Sequence, residues 1–366
     1  MTGPDTLESE IRRLIMIAGP MPVSEFMHHC LGHPKFGYYI THDPIGTSGD
    51  FTTSPEISQM FGELLGLWAA AVWRQMGAPA GVRLIELGPG RGTMMHDMLR
   101  AAHVMPDFRR ALAVHLVETS PVLRARQQQT LGKLDVAVTW HDALAEVPEG
   151  PAIILANEFF DALPVNQAVK QADGWHERVV NIDDNGDLAF AVASAPLRFF
   201  DQTLPPQVRM AEVGSIYEWR GDPPALEIGR RVVHGGGGAL IIDYGHDESM
   251  VGDTFQALRG QHKADPLLSP GLADLTAHVD FQALASAAES IGARAHGPVD
   301  QATLLRRLGI EQRAANLKKV APPDKAATID LALGRLTAGG TTGMGNMFKA
   351  LGISTPEIAA LPGFEV

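Results

Sequence analysis

The stretch Leu84-Ile85-Glu86-Leu87-Gly88-Pro89-Gly90-Arg91-Gly92 constrains this chain more than any other. A short apolar strand ends in three closely spaced glycines, and helix-forming residues resume at Thr93. Glycines at a strand-to-helix turn let the backbone come close to a ligand, and the helix that follows offers free N–H groups and the positive end of its dipole. A dinucleotide site would read G-x-G-x-x-G with an acid about 20 residues further on. Here the third glycine comes one position early, Thr93 stands in the expected place, and no acid ends a strand at that distance. No Gly-Lys-Ser/Thr follows, so the loop is not a P-loop. An acidic strand followed by G-x-G-x-G suits instead a cofactor that carries a carboxylate and a cationic amino group but no pyrophosphate. Glu118 ends the next apolar run, where a carboxylate can accept both hydroxyls of a ribose. A glycine turn alone is a packing device; in register with a strand, a helix and Glu118 it reads as a ligand cradle.

The rest of the chain repeats the same rhythm. Apolar runs at 82–87, 112–117, 136–140, 152–156 and 239–242 alternate with helical stretches, the pattern of a doubly wound, mostly parallel α/β sheet, and a late strand is expected at 347–351. Between the fourth and fifth runs, Asp183-Asp184-Asn185-Gly186 separates two strand-like segments, which predicts an antiparallel hairpin. Upstream, a helix is expected near 6–17. Thr53-Ser54-Pro55-Glu56 reads as the cap of a second helix carrying Met60, Phe61, Leu64, Leu65, Trp68 and Val72 at helical spacing. The expected organisation is an N-terminal helical region and lid (1–80), a cofactor-binding half of the core (81–165), an inserted hairpin and helical subdomain (166–235), and the remainder of the core (236–366).

Composition narrows the function. A formal net charge of −12 argues against a nucleic-acid backbone as partner, because phosphate binding needs a basic surface. It suits a cationic acceptor. The single cysteine, Cys30, excludes a disulfide framework. No apolar run reaches the roughly 20 residues of a spanning helix, and the first ten residues resemble neither a secretory signal nor an Arg-rich transit peptide. For a complete chain the expected location is the cytoplasm. His28-His29-Cys30 with His33 lacks the spacing of a metal site, so none is expected.

Several motifs then stand in order: Gly49-Asp50-Phe51-Thr52-Thr53-Ser54-Pro55-Glu56, Phe61-Gly62-Glu63, Glu86-Leu87-Gly88-Pro89-Gly90-Arg91-Gly92, Asn157-Glu158-Phe159-Phe160-Asp161, Asp243-Tyr244-Gly245, and Asp274 through His278 to Phe281. With Met344-Gly345 and Phe348-Lys349 they make the chain resemble the MidA family, whose mitochondrial members are protein arginine methyltransferases that help assemble respiratory complex I. The resemblance runs from about residue 26 to 351. It implies a class I methyltransferase fold with an antiparallel last strand, S-adenosyl-L-methionine as methyl donor, and an arginine of the large peripheral-arm subunit of complex I as acceptor. A methyltransferase for a small molecule or another protein, and an S-adenosylmethionine-binding assembly chaperone without turnover, are the competing readings.

Ligand chemistry in such sheets sits at the carboxyl ends of the strands. The donor is expected on Glu86, Gly88, Gly90, Gly92 and Glu118, with Asp142 at the adenine amino group and Asp50, beside Phe51, as part of a lid. A guanidinium is a poor nucleophile because its charge is delocalised, and paired carboxylates can polarise one nitrogen toward the methyl group. Glu158 and Asp161 are the expected groups for this, with Asn157 shaping the site. Asp161 could otherwise cap a following helix. Asp243, Tyr244 and His278 are candidates to line the acceptor channel.

Overall fold

Strands whose side chains are apolar on both faces belong in a sheet covered on both sides, and the middle of the main sheet is built this way. The structure, a computed structural model, describes residues 6–42, 52–340 and 343–365. It divides into two compact units that the chain enters more than once: Thr52–Phe160 with Asp222–Asp247 and Phe281–Val366, and Met1–Phe51 with Asp161–Gly221 and Glu248–Asp280.

The first unit carries strands β1 (Val82–Leu87), β2 (Leu112–Val117), β3 (Val138–His141), β4 (Ala152–Asn157), β5 (Gly237–His246), β6 (Arg294–Asp300) and β7 (Phe348–Ser354). Along the sheet they lie in the order β6-β7-β5-β4-β1-β2-β3. The pairs β5–β4, β4–β1, β1–β2 and β2–β3 are parallel, whereas β7 runs antiparallel to both β5 and β6. This is the class I methyltransferase arrangement, with the antiparallel strand that the resemblance implied. Ile153, Ile154, Leu155 and Ile241 at its centre are buried. The expected late strand is present and runs three residues further than its apolar pattern suggested.

One correction concerns the helices of this unit. The helical run after Thr53 is not continuous: a single turn spans Ser54–Ile57, Ser58 is extended, and helix α1 (Gln59–Gln75) starts afresh. Its cap is Ser58, whose hydroxyl accepts the Met60 N–H, and Thr53 makes no side-chain cap bond. Gly237, at the start of β5, is held by close backbone approach, since a Cβ there would lie 1.9 Å from the Ala152 carbonyl oxygen. Helix α1 packs on α2 (Thr93–Ala101) with comparable intimacy. Gly62 and Gly66, one turn apart on the same face, let the two backbones meet, and a Cβ on Gly66 would lie 2.7 Å from the Met98 carbonyl oxygen.

The second unit gathers the N-terminal helices Leu7–Ala18 and Val23–Gly32 with the inserted strands. Thr6 and Ser9 form a capping box at the first helix. The hairpin forms around Asp183–Gly186 in the predicted place, with Ile182 opposite Leu188, and its first strand pairs on the other side with Asn166–Gln171. Met21 and Pro22 add to the Gly174–Ile182 strand, and Ile11, Phe26, Met27, Val180 and Leu275 share one buried cluster.

Replacing Gly66 by alanine tests the α1–α2 contact. Alanine is the better helix former by about 1 kcal/mol, but the clash with Met98 should outweigh this and cost a net 1–3 kcal/mol or so of stability. Urea unfolding measures it; an unchanged or raised midpoint would show that the helices do not pack this closely.

Candidate functional site

The parallel register places Leu87 beside Val117 and Ala156, so the loops leaving β1, β2 and β4 emerge together. After β1, Gly88, Gly90 and Gly92 have φ of +60°, +53° and +80°, left-handed backbone that side chains resist. The Gly92 N–H closes the turn on the Pro89 carbonyl at 2.8 Å, and α2 begins at Thr93 with no side-chain cap. The Thr93 hydroxyl instead donates to Glu56 Oε1 at 2.5 Å, tying the Ser54–Ile57 turn to the glycine loop. The Phe159 ring lies over Gly88, where a Cβ would come within 2.8 Å of it.

Glu86, on β1, is 2% exposed, and its Oε2 has no hydrogen-bond partner among the described residues. Burial pushes its carboxyl up to about 8, against the Met95 backbone amide, which lowers it. A buried acceptor without a donor is costly, and a cationic amino group is the kind of ligand that would relieve it. The Asn157 amide oxygen is also buried and without a partner among the described residues. Both atoms and the glycine turn suit the methionine end of S-adenosylmethionine.

Glu118 follows β2 directly. Its Oε1 accepts the Ser120 N–H at 2.7 Å, and its Oε2 accepts Gln127 Nε2 at 3.2 Å. Burial raises its carboxyl, while those donors and Arg124 pull it back. Gln127 also donates to the Gly90 carbonyl at 2.8 Å and accepts the Trp140 indole N–H at 2.8 Å. This residue was missed from sequence: it sits in helix α3 (Pro121–Leu131) within Arg126-Gln127-Gln128-Gln129, and the signal that could have found it is its place midway between the buried Leu123 and Leu131, four residues from each. Asp142 stands just past β3 with its side chain 71% exposed, ion-paired at 2.6 Å to Arg124, whose Nε donates to the Glu118 backbone carbonyl. It is a surface acid joined to Glu118 through Arg124. Asp50 and Phe51 lie outside the described residues.

The loop after β4 is backbone under tension. Glu158 has φ +49°, unusual for a side-chain-bearing residue and costing on the order of 1 kcal/mol or more. Its carboxylate is aimed by two donors, the Ser54 N–H at 2.8 Å and Asn157 Nδ2 at 3.1 Å. Asp243, expected toward an acceptor channel, instead points inward. It is fully buried, with Oδ2 accepting the Phe159 and Phe160 N–H groups and Oδ1 accepting that of Tyr244. A carboxylate that binds three backbone amides braces the strained turn.

Asp161 belongs to the other unit. No helix follows it, since the chain turns into the strand Asn166–Gln171, so it caps none. It is buried, which raises its carboxyl against the lowering influence of Arg220. Its carbonyl accepts Arg220 Nη2 and the Ala277 N–H, and Arg220 also donates to the Leu163, Ala277 and His278 carbonyls. His278 is thus held through its backbone. Among the described residues no group of three or more His, Cys, Asp or Glu is placed to hold a metal.

Sheet order and glycine turn together put the chain among the S-adenosylmethionine-dependent methyltransferases. A family model described as "Putative S-adenosyl-L-methionine-dependent methyltransferase" matches residues 64–299. The chain is 37% identical to Protein arginine methyltransferase NDUFAF7 homolog, mitochondrial, of Drosophila melanogaster, over 98% of this chain and 87% of that protein. Against Protein arginine methyltransferase NDUFAF7, mitochondrial, of Homo sapiens it is 38% identical over 82% of this chain and 72% of the relative. A solved structure from Burkholderia thailandensis bound to S-adenosyl-homocysteine superposes with a TM-score of 0.85 at 30% identity, covering 100% of this chain and 97% of that one. The chain belongs to the MidA family of S-adenosylmethionine-dependent methyltransferases.

Glu86 gives a test by pH. Its carboxyl stands at about 8 in the folded chain against an ordinary 4.5, so the folded state holds the extra proton between those values. Its contribution to stability is therefore full below about 4.5 and is lost as pH rises through about 8. Without ligand, wild type should lose stability relative to Glu86→Gln between pH 6.5 and 8, by up to about 1.4 kcal/mol per pH unit. Parallel pH profiles from urea unfolding would contradict this.

Proposed function

We propose that this methyltransferase transfers its methyl group to a guanidinium nitrogen of an arginine in a protein. The observation that carries the reading is Glu158: a strained acid at the carboxyl end of β4, its carboxylate aimed by Ser54 and Asn157, in a chain more than a third identical to relatives named protein arginine methyltransferases. A strained residue braced from behind is a recurring mark of a working site.

In this reading Glu86, Asn157 and the turn Gly88–Gly92 hold the methionine end of the donor, Glu118 holds its ribose, and Asp142 lies toward its adenine; Asp50 is assigned to a lid. Bound S-adenosylmethionine supplies an electrophilic methyl group on a sulfonium. Glu158 takes two guanidinium N–H groups, turns one nitrogen toward that methyl group, and receives the proton it sheds. Asp161, the second acid of the same sequence motif, has a carboxyl that burial raises toward the range where proton transfer is effective. A net charge of −12 favours a cationic acceptor. The family resemblance points to the large peripheral-arm subunit of complex I as that acceptor, and the single cysteine suits a reducing compartment. No described helix is long and apolar enough to cross a membrane.

Methyl-labelled S-adenosylmethionine incubated with complex I subunits, followed by hydrolysis and amino-acid analysis, should yield labelled methylarginine. Label on metabolites alone would favour a small-molecule acceptor, and cofactor binding with no labelled product would favour an assembly chaperone. Glu158→Gln should reduce turnover by about a hundredfold or more while cofactor affinity stays within a few-fold, and Asp161→Asn should act in the same direction. Equal losses of affinity and turnover would place these acids in folding rather than in transfer.

A further inference from the structure

Gln127 is 0% exposed and makes three side-chain hydrogen bonds, each to a different part of the cradle. An indole N–H can only donate, so Trp140 determines which end of the amide is oxygen: Oε1 faces Trp140, and Nε2 must face the other way. Its two hydrogens then meet the Gly90 carbonyl and Glu118 Oε2. The other oxygen of Glu118 is held by the Ser120 N–H at the start of α3. The carboxylate plane is thereby set by donors on both oxygens, with the Thr119 backbone amide bearing on it as well.

We propose that Gln127 is a positioning residue for the donor's ribose, locking the Glu118 carboxylate and the glycine turn into one rigid unit. The proposal rests on the reading of Glu118 as the ribose acceptor. Two partners are joined through one planar amide, so a shift of α3 moves the ribose acid and the Gly90 carbonyl together and preserves their spacing. A leucine at this position would fill the space but leave Glu118 Oε2 and the Gly90 carbonyl without that donor, and the carboxylate would be held only by backbone amides at the start of α3, with its second oxygen less fixed in direction. Loss of alignment should therefore show most in interactions that depend on direction, namely hydrogen bonds from the ribose hydroxyls.

The test is calorimetric titration of wild type, Gln127→Leu, Trp140→Phe and Glu118→Gln with S-adenosylhomocysteine and with its 2′-deoxy analogue. Wild type should prefer the natural ribose by about tenfold or more, as expected for a hydrogen bond to a charged group. In Gln127→Leu that preference should shrink to within about threefold, with a weaker effect in the same direction for Trp140→Phe, where the amide keeps its place but is free to flip. A merely structural role would weaken both ligands by the same factor and leave the ratio intact; that result in Gln127→Leu overturns the proposal. If Gln127→Leu fails to fold by circular dichroism, Trp140→Phe decides, and an unchanged ratio there overturns it equally. Glu118→Gln separates the premise. A wild-type ratio in that variant, or no preference in wild type, sinks the ribose reading itself. A ratio that collapses there but survives in Gln127→Leu sinks only the role of Gln127.

Discussion

Left-handed backbone at Gly88, Gly90 and Gly92 reverses the chain between β1 and α2 within five residues, and the remainder of the site is arranged around that turn. A Cβ at Gly88 would strike Phe159, whose backbone N–H is held by Asp243. The Gly90 carbonyl anchors Gln127 and through it Glu118. Gly92 delivers α2, whose Met95 amide bears on the Glu86 carboxyl, and Thr93 binds Glu56. Parallel pairing of β1 with β2 and β4 brings the three contributing loops to one edge of the sheet. The turn can be tight because glycine alone adopts this conformation readily, at a cost in chain entropy that the surrounding hydrogen bonds offset.

The acids of the site are sorted by what surrounds them. Glu86 and Asn157 keep buried oxygen atoms without donors, a state tolerated in a folded protein where a ligand completes it. Glu118 and Glu158 each have donors that orient the carboxylate, Ser120 and Gln127 for the one, Ser54 and Asn157 for the other. Asp243 is turned inward and accepts three backbone amides, and its work is to hold the strained turn that presents Glu158. Four carboxylates thus have distinct settings, fixed by burial and by the direction of nearby N–H groups.

Much of this was legible in the residue order. The central strands are continuous apolar runs, so their positions, the parallel sheet and the glycine loop could be read directly, as could the hairpin at Asp183–Gly186. The site was legible where a residue ends a strand, as with Glu118 and Glu158. It was not legible where a role depends on tertiary partners. Asp243 follows a strand like the others, and only the amides of the β4 loop distinguish it. Gln127 lies on the buried row of α3 between Leu123 and Leu131, but its polar partners come from other elements and leave no mark in the local sequence. Ser58 interrupts a helical pattern that is apolar on both sides of it, and the two units interleave because the N-terminal helices pack with strands inserted more than a hundred residues later.

The central claim is that one edge of this sheet, from Glu86 through the glycine turn to Glu118, is the cradle of the methyl donor. A crystal structure of the protein with S-adenosylhomocysteine tests it most directly. The account predicts both ribose hydroxyls within hydrogen-bond distance of the Glu118 carboxylate, with the amino-acid end of the ligand against Glu86, Asn157 and the Gly88–Gly92 backbone. A ligand whose ribose leaves Glu118 untouched, or that is bound away from the glycine turn, would contradict it.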